Sequence, residues 1–252
     1  MKKIYILPNL VTSANLVCGF LSIVHSVKGE FSKAAWFIII GAVCDSLDGR
    51  IARMARATSA FGVQYDSLSD LTSFGIAPAI LIFSAYLRDF SIGVSATALY
   101  AVCAALRLAR FNVSVEETDP SKLRKIRKGY FQGLPSPASA GLMVTAVLIQ
   151  NEFQPLSTEL MQFLSMGLAG ILGLLMVSNV PFASFKEVNW RSKGKAWILL
   201  LPIVFLIFVV QAPEVTLFAT GYAYLMGSLG WAAYLCWFKS CEQEKGDPVA
   251  TR

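Results

Sequence analysis

The chain has 252 residues, of which 55% are hydrophobic and only 15% charged, with a net charge of +6 and a mean hydropathy of +0.57. Soluble domains carry more charge than this, because charged surface keeps them dispersed. The composition therefore excludes an ordinary soluble domain. Recurrent apolar stretches of bilayer-crossing length predict an all-α, polytopic transmembrane helical bundle instead.

Eight apolar segments predict eight membrane-spanning helices. They cover residues 7–27, 33–53, 67–87, 93–111, 136–152, 159–179, 196–211 and 215–237. Connections such as 28–32 and 212–214 are too short to hold a separate module. We therefore expect a single integral membrane domain over residues 1–252.

The Lys and Arg residues indicate how the bundle is oriented. With both termini in the cytoplasm, all of the 22 Lys and Arg residues except Lys28, Lys33 and Arg88 fall on the cytoplasmic side. The positive-inside rule favours this topology, and an even number of spans agrees with it. We expect a bacterial inner membrane protein with both termini in the cytoplasm.

Four aspartates stand at the cytoplasmic ends of the second and third predicted spans: Asp45, Asp48, Asp66 and Asp70. The first two are one helical turn apart and the last two are four residues apart, so each pair projects from one helix face. Carboxylates at a membrane are costly without a compensating positive charge. Because Mg²⁺ and Mn²⁺ prefer hard oxygen ligands, the pattern predicts one divalent metal ion, or a pair, between two helices.

Small residues and an arginine accompany the aspartates. Gly49 and Ala52 leave room for a bulky group, Arg53 offers a planar fork suited to a diphosphate, and Gly62 opens the facing helix. The predicted ligand is a metal-bound diphosphate with a planar group attached. An interfacial charge network with close helix packing is the alternative interpretation.

Residues 45–70 follow the pattern D-x-x-D-G-x-x-A-R-x8-G-x-x-x-D-x-x-x-D. This pattern resembles in full the signature of the CDP-alcohol phosphatidyltransferases. Within that family, the runs LPNLVTSAN, DSLSDLTSFGIAP, ALRLARFN and FQGLPSPASA resemble those of bacterial and archaeal phosphatidylserine synthases. The resemblance implies a core of six helices, a divalent metal, an active site facing the cytoplasm and, commonly, a homodimer.

The same resemblance implies a reaction and a role for each signature residue. The phosphatidyl group of CDP-diacylglycerol, a membrane lipid, would pass to the hydroxyl of L-serine with release of CMP. Asp45, Asp48 and Asp66 would be metal ligands, and Asp70 would be the base and also touch a metal. The residues expected to accommodate the CDP moiety are Gly49, Ala52, Arg53 and Gly62.

The acceptor is less sharply indicated than the donor. Leu71 follows the last aspartate where relatives that use glycerol phosphate commonly have Lys, and this departure counts against that acceptor. Arg107 and Arg110 lie three residues apart at the cytoplasmic end of the fourth span, and we expect them to bind the carboxylate of serine. The alternative is that they anchor this helix at anionic headgroups.

Three polar residues of the first span, Asn9, Thr12 and Asn15, are expected to line the pocket or to form interhelical hydrogen bonds. Two other functions stay open at this stage. One is the same chemistry with glycerol 3-phosphate or inositol phosphate as acceptor, and the other is a cation-coupled transporter. We expect no nucleic-acid partner.

Overall fold

The computed structural model describes residues 6–54, 60–116, 130–183, 205 and 207–246. This part of the chain is mainly helical, which confirms the predicted all-α class. The helices are α1 Ile6–Val27, α2 Phe31–Met54, α3 Ala60–Asp70, α4 Ala77–Ile82, α5 Ser91–Glu116, α6 Ser136–Phe153, α7 Thr158–Val177 and α8 Pro213–Gly246. Two strands of three residues each, β1 Tyr130–Gln132 and β2 Pro181–Ala183, complete the described elements.

Four of the described helical stretches are long and apolar enough to cross a membrane: Asn9–Val27, Phe61–Leu87, Ser91–Val113 and Thr158–Val177. They correspond to the first, third, fourth and sixth predicted spans. The helix that holds the third predicted span begins at Ala60, earlier than the predicted residue 67, because five polar residues among the eleven of α3 weaken the apolar signal of a span there. The seventh predicted span, 196–211, lies mostly outside the described residues.

The turn between α1 and α2 sets these two helices antiparallel. Gly29 has a φ of +80°, a conformation that glycine adopts without strain. Glu30 contacts His25 and Lys33 across the turn. Hydrogen bonds from His25 and then Lys33 lower the pKa of the Glu30 carboxyl. The turn thus lays the polar face of α1 along the aspartate-bearing end of α2.

The third helix runs from Ala60 to Leu87 and alternates α3 and α4 with two π-helical segments, Leu71–Ile76 and Phe83–Leu87. Pro78 has no N–H and cannot donate to the carbonyl of Phe74, four residues earlier. The hydroxyl of Tyr100 on α5 donates to that carbonyl at 3.0 Å. The first π-helical segment begins directly after Asp70. The hydrogen bond from Tyr100 therefore helps to fix the helix that carries Asp70.

Replacing Tyr100 with Phe is expected to lower the free energy of unfolding by about 1–3 kcal/mol, because the buried Phe74 carbonyl loses its side-chain donor. Denaturant unfolding in detergent micelles measures the change. Tyr86→Phe is the matched control, since the Tyr86 hydroxyl is buried and has no hydrogen-bond partner among the described residues. Equal destabilisation by both substitutions would contradict the role given to the Tyr100 hydroxyl.

Glycines let α1 approach both of its neighbours closely. A Cβ added at Gly19 would lie 2.5 Å from Ser73 Oγ on the third helix, and one added at Gly41 on α2 would lie 2.9 Å from Asn15 Oδ1. Small residues at such contacts let membrane helices pack backbone to backbone. Helix α1 is therefore held between the two helices that carry the aspartates.

The start of α6 is tied to the end of α7. Strands β1 and β2 pair antiparallel, and the N–H of Gly133 donates to the carbonyl of Val180 at 3.0 Å. Gly133 has a φ of +77°, and a Cβ there would lie 2.4 Å from the Met176 carbonyl oxygen, so only glycine fits. Because α5 packs against α7, these contacts bring the start of α6 close to the C-terminal half of α5, where Arg107 contacts Ser136.

Candidate metal centre and active site

Carboxylates from α2 and α3 converge between the two helices. One ligand oxygen each from Asp45, Asp48 and Asp66 lies within 4.8 Å of the others. Asp70 stands outside this group of three but within hydrogen-bonding reach of Asp45. The structure thus brings together all four aspartates that the sequence singled out.

The chemistry of this cluster fits a divalent cation. Asp48 is only 4% exposed, and Asp66 Oδ1 is buried without a hydrogen-bond partner among the described residues. Carboxylates this close repel one another unless positive charge lies among them. A set of carboxylate oxygens with an unpaired buried member could therefore hold a hard metal ion.

Helix α1 contributes neutral donors to two of the carboxylates. Thr12 Oγ1 donates to Asp48 Oδ2 at 3.0 Å, and Asn15 Nδ2 donates to Asp70 Oδ1 at 3.2 Å. Both donors are buried. Asn9, the third polar residue predicted to line the pocket, is half-buried one turn away and hydrogen-bonds to none of the four aspartates.

The sequence reasoning missed two serines that hold α1 against the third helix. Ser69 Oγ donates to the Thr12 carbonyl at 3.1 Å, and Ser73 Oγ donates to the Asn15 carbonyl at 2.9 Å. Both serines are fully buried. Their spacing of four residues, which puts both on one helix face, is the signal that could have revealed them. These two hydrogen bonds fix the position of α1 along the third helix, and so determine which carboxylates Thr12 and Asn15 reach.

The residues predicted to accommodate the CDP moiety are only partly described. Gly49 is exposed, and a Cβ added there would meet nothing within 4 Å, so the space beside it is open. Gly62 is half-buried in α3, one turn before Asp66. The backbones of Ala52 and Arg53 belong to α2, but their side chains lie outside the described residues.

The structure separates the two arginines that the sequence treated as a pair. Arg107 Nη1 donates to Ser136 Oγ at 2.8 Å, and its guanidinium is near enough to Asp70 for the two charges to interact. Arg110 Nη1 instead donates to the Val177 carbonyl at 3.1 Å and to Asn179 Oδ1 at 3.3 Å, at the end of α7. Arg107 is thus the arginine for which an electrostatic interaction with Asp70 is described.

An apolar cavity of about 310 Å³ opens between α2, α6 and α8. Its wall includes Ala42, three residues before Asp45, and Phe74, four residues after Asp70. On the α8 side the wall includes Tyr224, whose position is close enough to Arg107 for electrostatic interaction. The cavity therefore borders the helix segments that carry Asp45 and Asp70, although none of the four aspartates lines it.

Comparison with known proteins identifies the family of the chain. The family described as CDP-alcohol phosphatidyltransferase matches residues 5–237. The chain belongs to this family. This CDP-alcohol phosphatidyltransferase is an integral membrane protein with apolar helices, and its aspartate signature lies within the matched range.

Three relatives of this transferase illustrate the breadth of the similarity, and each is named CDP-diacylglycerol–serine O-phosphatidyltransferase. The Helicobacter pylori J99 protein is 35% identical over 232 residues, which are 92% of this chain and 93% of the relative. The Bacillus subtilis protein is 34% identical over 72% of this chain and 92% of its own length. The Methanocaldococcus jannaschii protein is 31% identical over 73% of this chain and 77% of its own length.

Proposed function

We propose that this chain transfers the phosphatidyl group of CDP-diacylglycerol to the hydroxyl of L-serine, forming phosphatidylserine and CMP. The observation that carries the proposal is the convergence of Asp45, Asp48 and Asp66, with Asp70 beside them, in a chain whose relatives are named for this reaction. Glycerol 3-phosphate and inositol phosphate are the alternative acceptors. Leu71, rather than a lysine, after the last aspartate supports serine over glycerol phosphate.

The proposed metal ligands are Asp45, Asp48 and Asp66, with Asp70 close enough to share a second ion. Mg²⁺ or Mn²⁺ suits this all-carboxylate donor set. When bound, the ion would supply positive charge opposite the diphosphate of the donor substrate. The structural feature that supports this assignment is Asp66 Oδ1, which is buried and has no hydrogen-bond partner in the described part of the chain.

Asp70 is the proposed general base. It would accept the proton of the serine hydroxyl while the serine oxygen bonds to the lipid-bearing phosphorus and the bond from that phosphorus to the CMP oxygen breaks. Asn15 holds the Asp70 carboxylate through its amide N–H, so the proton-accepting group keeps one orientation. Arg53 would bind the diphosphate, and the space at Gly49, Ala52 and Gly62 would admit the cytidine group.

The apolar cavity is the proposed location for part of the hydrocarbon of CDP-diacylglycerol. Its lining is almost entirely aliphatic and aromatic, from Ile38 on α2 to Leu142 on α6 and Leu217 on α8. Hydrocarbon gains from such surroundings, because apolar surface leaves water. Ala42 and Phe74 lie about one helical turn from Asp45 and Asp70, so a hydrocarbon chain in this cavity would have its headgroup end near the aspartates.

The membrane arrangement is part of the proposal. We infer one integral membrane domain over residues 1–252 with eight spans, a six-helix core and both termini in the cytoplasm of a bacterial cell. Only this orientation puts nearly all Lys and Arg residues inside, and it places the aspartates where cytoplasmic serine meets a membrane lipid. A homodimer is the proposed assembly, which crosslinking of the purified protein in liposomes would test.

Replacing Thr12 with Val is expected to weaken Mn²⁺ affinity by about 10- to 100-fold, because Asp48 loses the donor that orients it towards the ion. Titration calorimetry of the purified protein measures the affinity. Thr97→Val is the matched control, since Thr97 Oγ1 bonds to the Gly93 carbonyl of its own helix, α5. An unchanged Mn²⁺ affinity in Thr12→Val would show that Thr12 does not contribute to metal binding.

The proposed function is tested with purified protein in liposomes that contain CDP-diacylglycerol and Mn²⁺. L-serine, glycerol 3-phosphate and inositol phosphate are added separately, and CMP and the lipid product are measured. CMP release with serine alone is expected. Release with another acceptor would support the role of the aspartates in the reaction but contradict L-serine as the acceptor. Absence of release with all three, together with cation flux across the liposome membrane, would favour the transporter.

A further inference from the structure

We propose that Arg107, and not Arg110, binds the carboxylate of the acceptor and so determines that the acceptor is an amino acid. This inference rests on the proposed function and narrows it to one specificity-determining side chain. The two arginines, which the sequence alone did not distinguish, have different surroundings in the structure.

The guanidinium of Arg107 is within electrostatic range of the Asp70 carboxylate and does not form an ion pair with it. The two charges are near enough to interact, but no N···O distance of 4.0 Å or less joins these two described residues. A small ligand with a hydroxyl at one end and an anionic group at the other could therefore contact Asp70 with the first and Arg107 with the second.

Among the described residues, Arg107 is held by a hydrogen bond to Ser136 and keeps further N–H donors without a partner. Ser136, which is 1% exposed at the first turn of α6, accepts a hydrogen bond from Arg107 Nη1 at 2.8 Å. Arg107 Nε is buried and has no hydrogen-bond partner among the described residues. A guanidinium has five N–H donors, and leaving them buried and unpaired is costly. A carboxylate, which accepts two parallel hydrogen bonds from a guanidinium, would satisfy this requirement.

The start of α6 adds to the positive character of this location. The first backbone N–H groups of a helix have no partner within the helix, and the helix dipole is positive at that end. Ser136 is the first residue of α6, and its side chain joins this helix end to Arg107. An anion bound at Arg107 would thus also be favoured by the adjacent helix terminus.

Arg110 has a different assignment. Its Nη1 donates to the Val177 carbonyl and to Asn179 Oδ1, where it compensates the negative end of α7. Its side chain therefore stabilises the junction between α5 and α7. Serine would bind away from Arg110, with its hydroxyl at Asp70 and its carboxylate at Arg107.

The test compares L-serine with serinol, which keeps the hydroxyl and amino groups but has no carboxylate. Arg107→Gln is expected to raise the KM for L-serine by about 10- to 100-fold, the effect of losing a hydrogen-bonded charge partner. Its kcat/KM with serinol and its KM for CDP-diacylglycerol are expected to match those of the wild type. Arg110→Gln, the matched control, is expected to keep the wild-type KM for L-serine.

Two results would overturn the inference. One is an Arg107→Gln protein with the wild-type KM for L-serine, and the other is an equal loss of kcat/KM with L-serine and serinol. If Arg107→Gln does not fold, Ser136→Ala carries the same comparison, because it frees the guanidinium and should raise the KM for L-serine alone. Failure of the proposed function is distinguishable, since the wild type would then release no CMP with L-serine.

Discussion

Replacing Asp70 with Asn is expected to lower kcat for CMP release by about 100- to 10,000-fold, the contribution usual for a positioned general base. The amide keeps the shape of the side chain, and its oxygen can still accept the hydrogen bond from Asn15 Nδ2. It cannot accept the proton of the serine hydroxyl. The effect should therefore fall on kcat, measured at saturating serine, and leave the binding of CDP-diacylglycerol intact.

Asp89→Asn is the matched control for this experiment. Asp89 is exposed beyond the far end of the third helix, so the same chemical change there is expected to leave kcat unaltered. Nearly wild-type kcat in Asp70→Asn would show that another group takes the proton, with Asp66 as the next carboxylate to test. Loss of CDP-diacylglycerol binding without a loss of kcat would reassign Asp70 to the donor site.

Replacing Asp66 with Asn is expected to have opposite effects on stability without and with a divalent metal. Without metal, removing one of three crowded carboxylates relieves repulsion, so the unfolding temperature should be unchanged or higher. With Mn²⁺, the wild type should gain about 2.7 kcal/mol at a concentration 100 times its Kd, whereas the variant should gain far less. Thermal unfolding across a Mn²⁺ titration, with EDTA as the starting point, measures both effects.

These opposite effects of Asp66→Asn without and with Mn²⁺ distinguish a metal centre from a structural charge network. In a network that only ties helices together, Asp66→Asn would be destabilised without metal and Mn²⁺ would stabilise both proteins equally. Asp89→Asn should follow the wild type at every Mn²⁺ concentration. Chelation of the wild type should also abolish CMP release, and Mg²⁺ or Mn²⁺ should restore it.

Much of the site was predictable because it depends on helical periodicity. A spacing of three or four residues puts Asp45 with Asp48, and Asp66 with Asp70, on single faces whatever the rest of the chain does. The two aspartate-bearing faces lie on consecutive helices, α2 and α3. Few ways of packing these two helices together keep the carboxylates apart. The convergence of Asp45, Asp48 and Asp66 follows that reasoning.

Which neighbours meet the carboxylates could not be predicted, because it depends on how each helix is rotated about its axis. Asn9, Thr12 and Asn15 share one spacing, yet only Thr12 and Asn15 bond to aspartates. Ser69 and Ser73, together with the close approach at Gly19, fix that rotation and the relative height of α1. These are contacts between residues more than fifty positions apart, which no local pattern contains.

The sequence by itself determined that this protein is helical and membrane-embedded, and that it carries a four-aspartate signature. Each of these properties follows from composition, from the length of apolar stretches or from a fixed local spacing. Only the tertiary structure decided that Tyr100 compensates the break at Pro78, and that Arg107 interacts electrostatically with Asp70 while Arg110 joins the end of α7. The physical reason is that a side chain's partner is set by the packing of distant helices, and similar residues three positions apart on one helix can point at different neighbours.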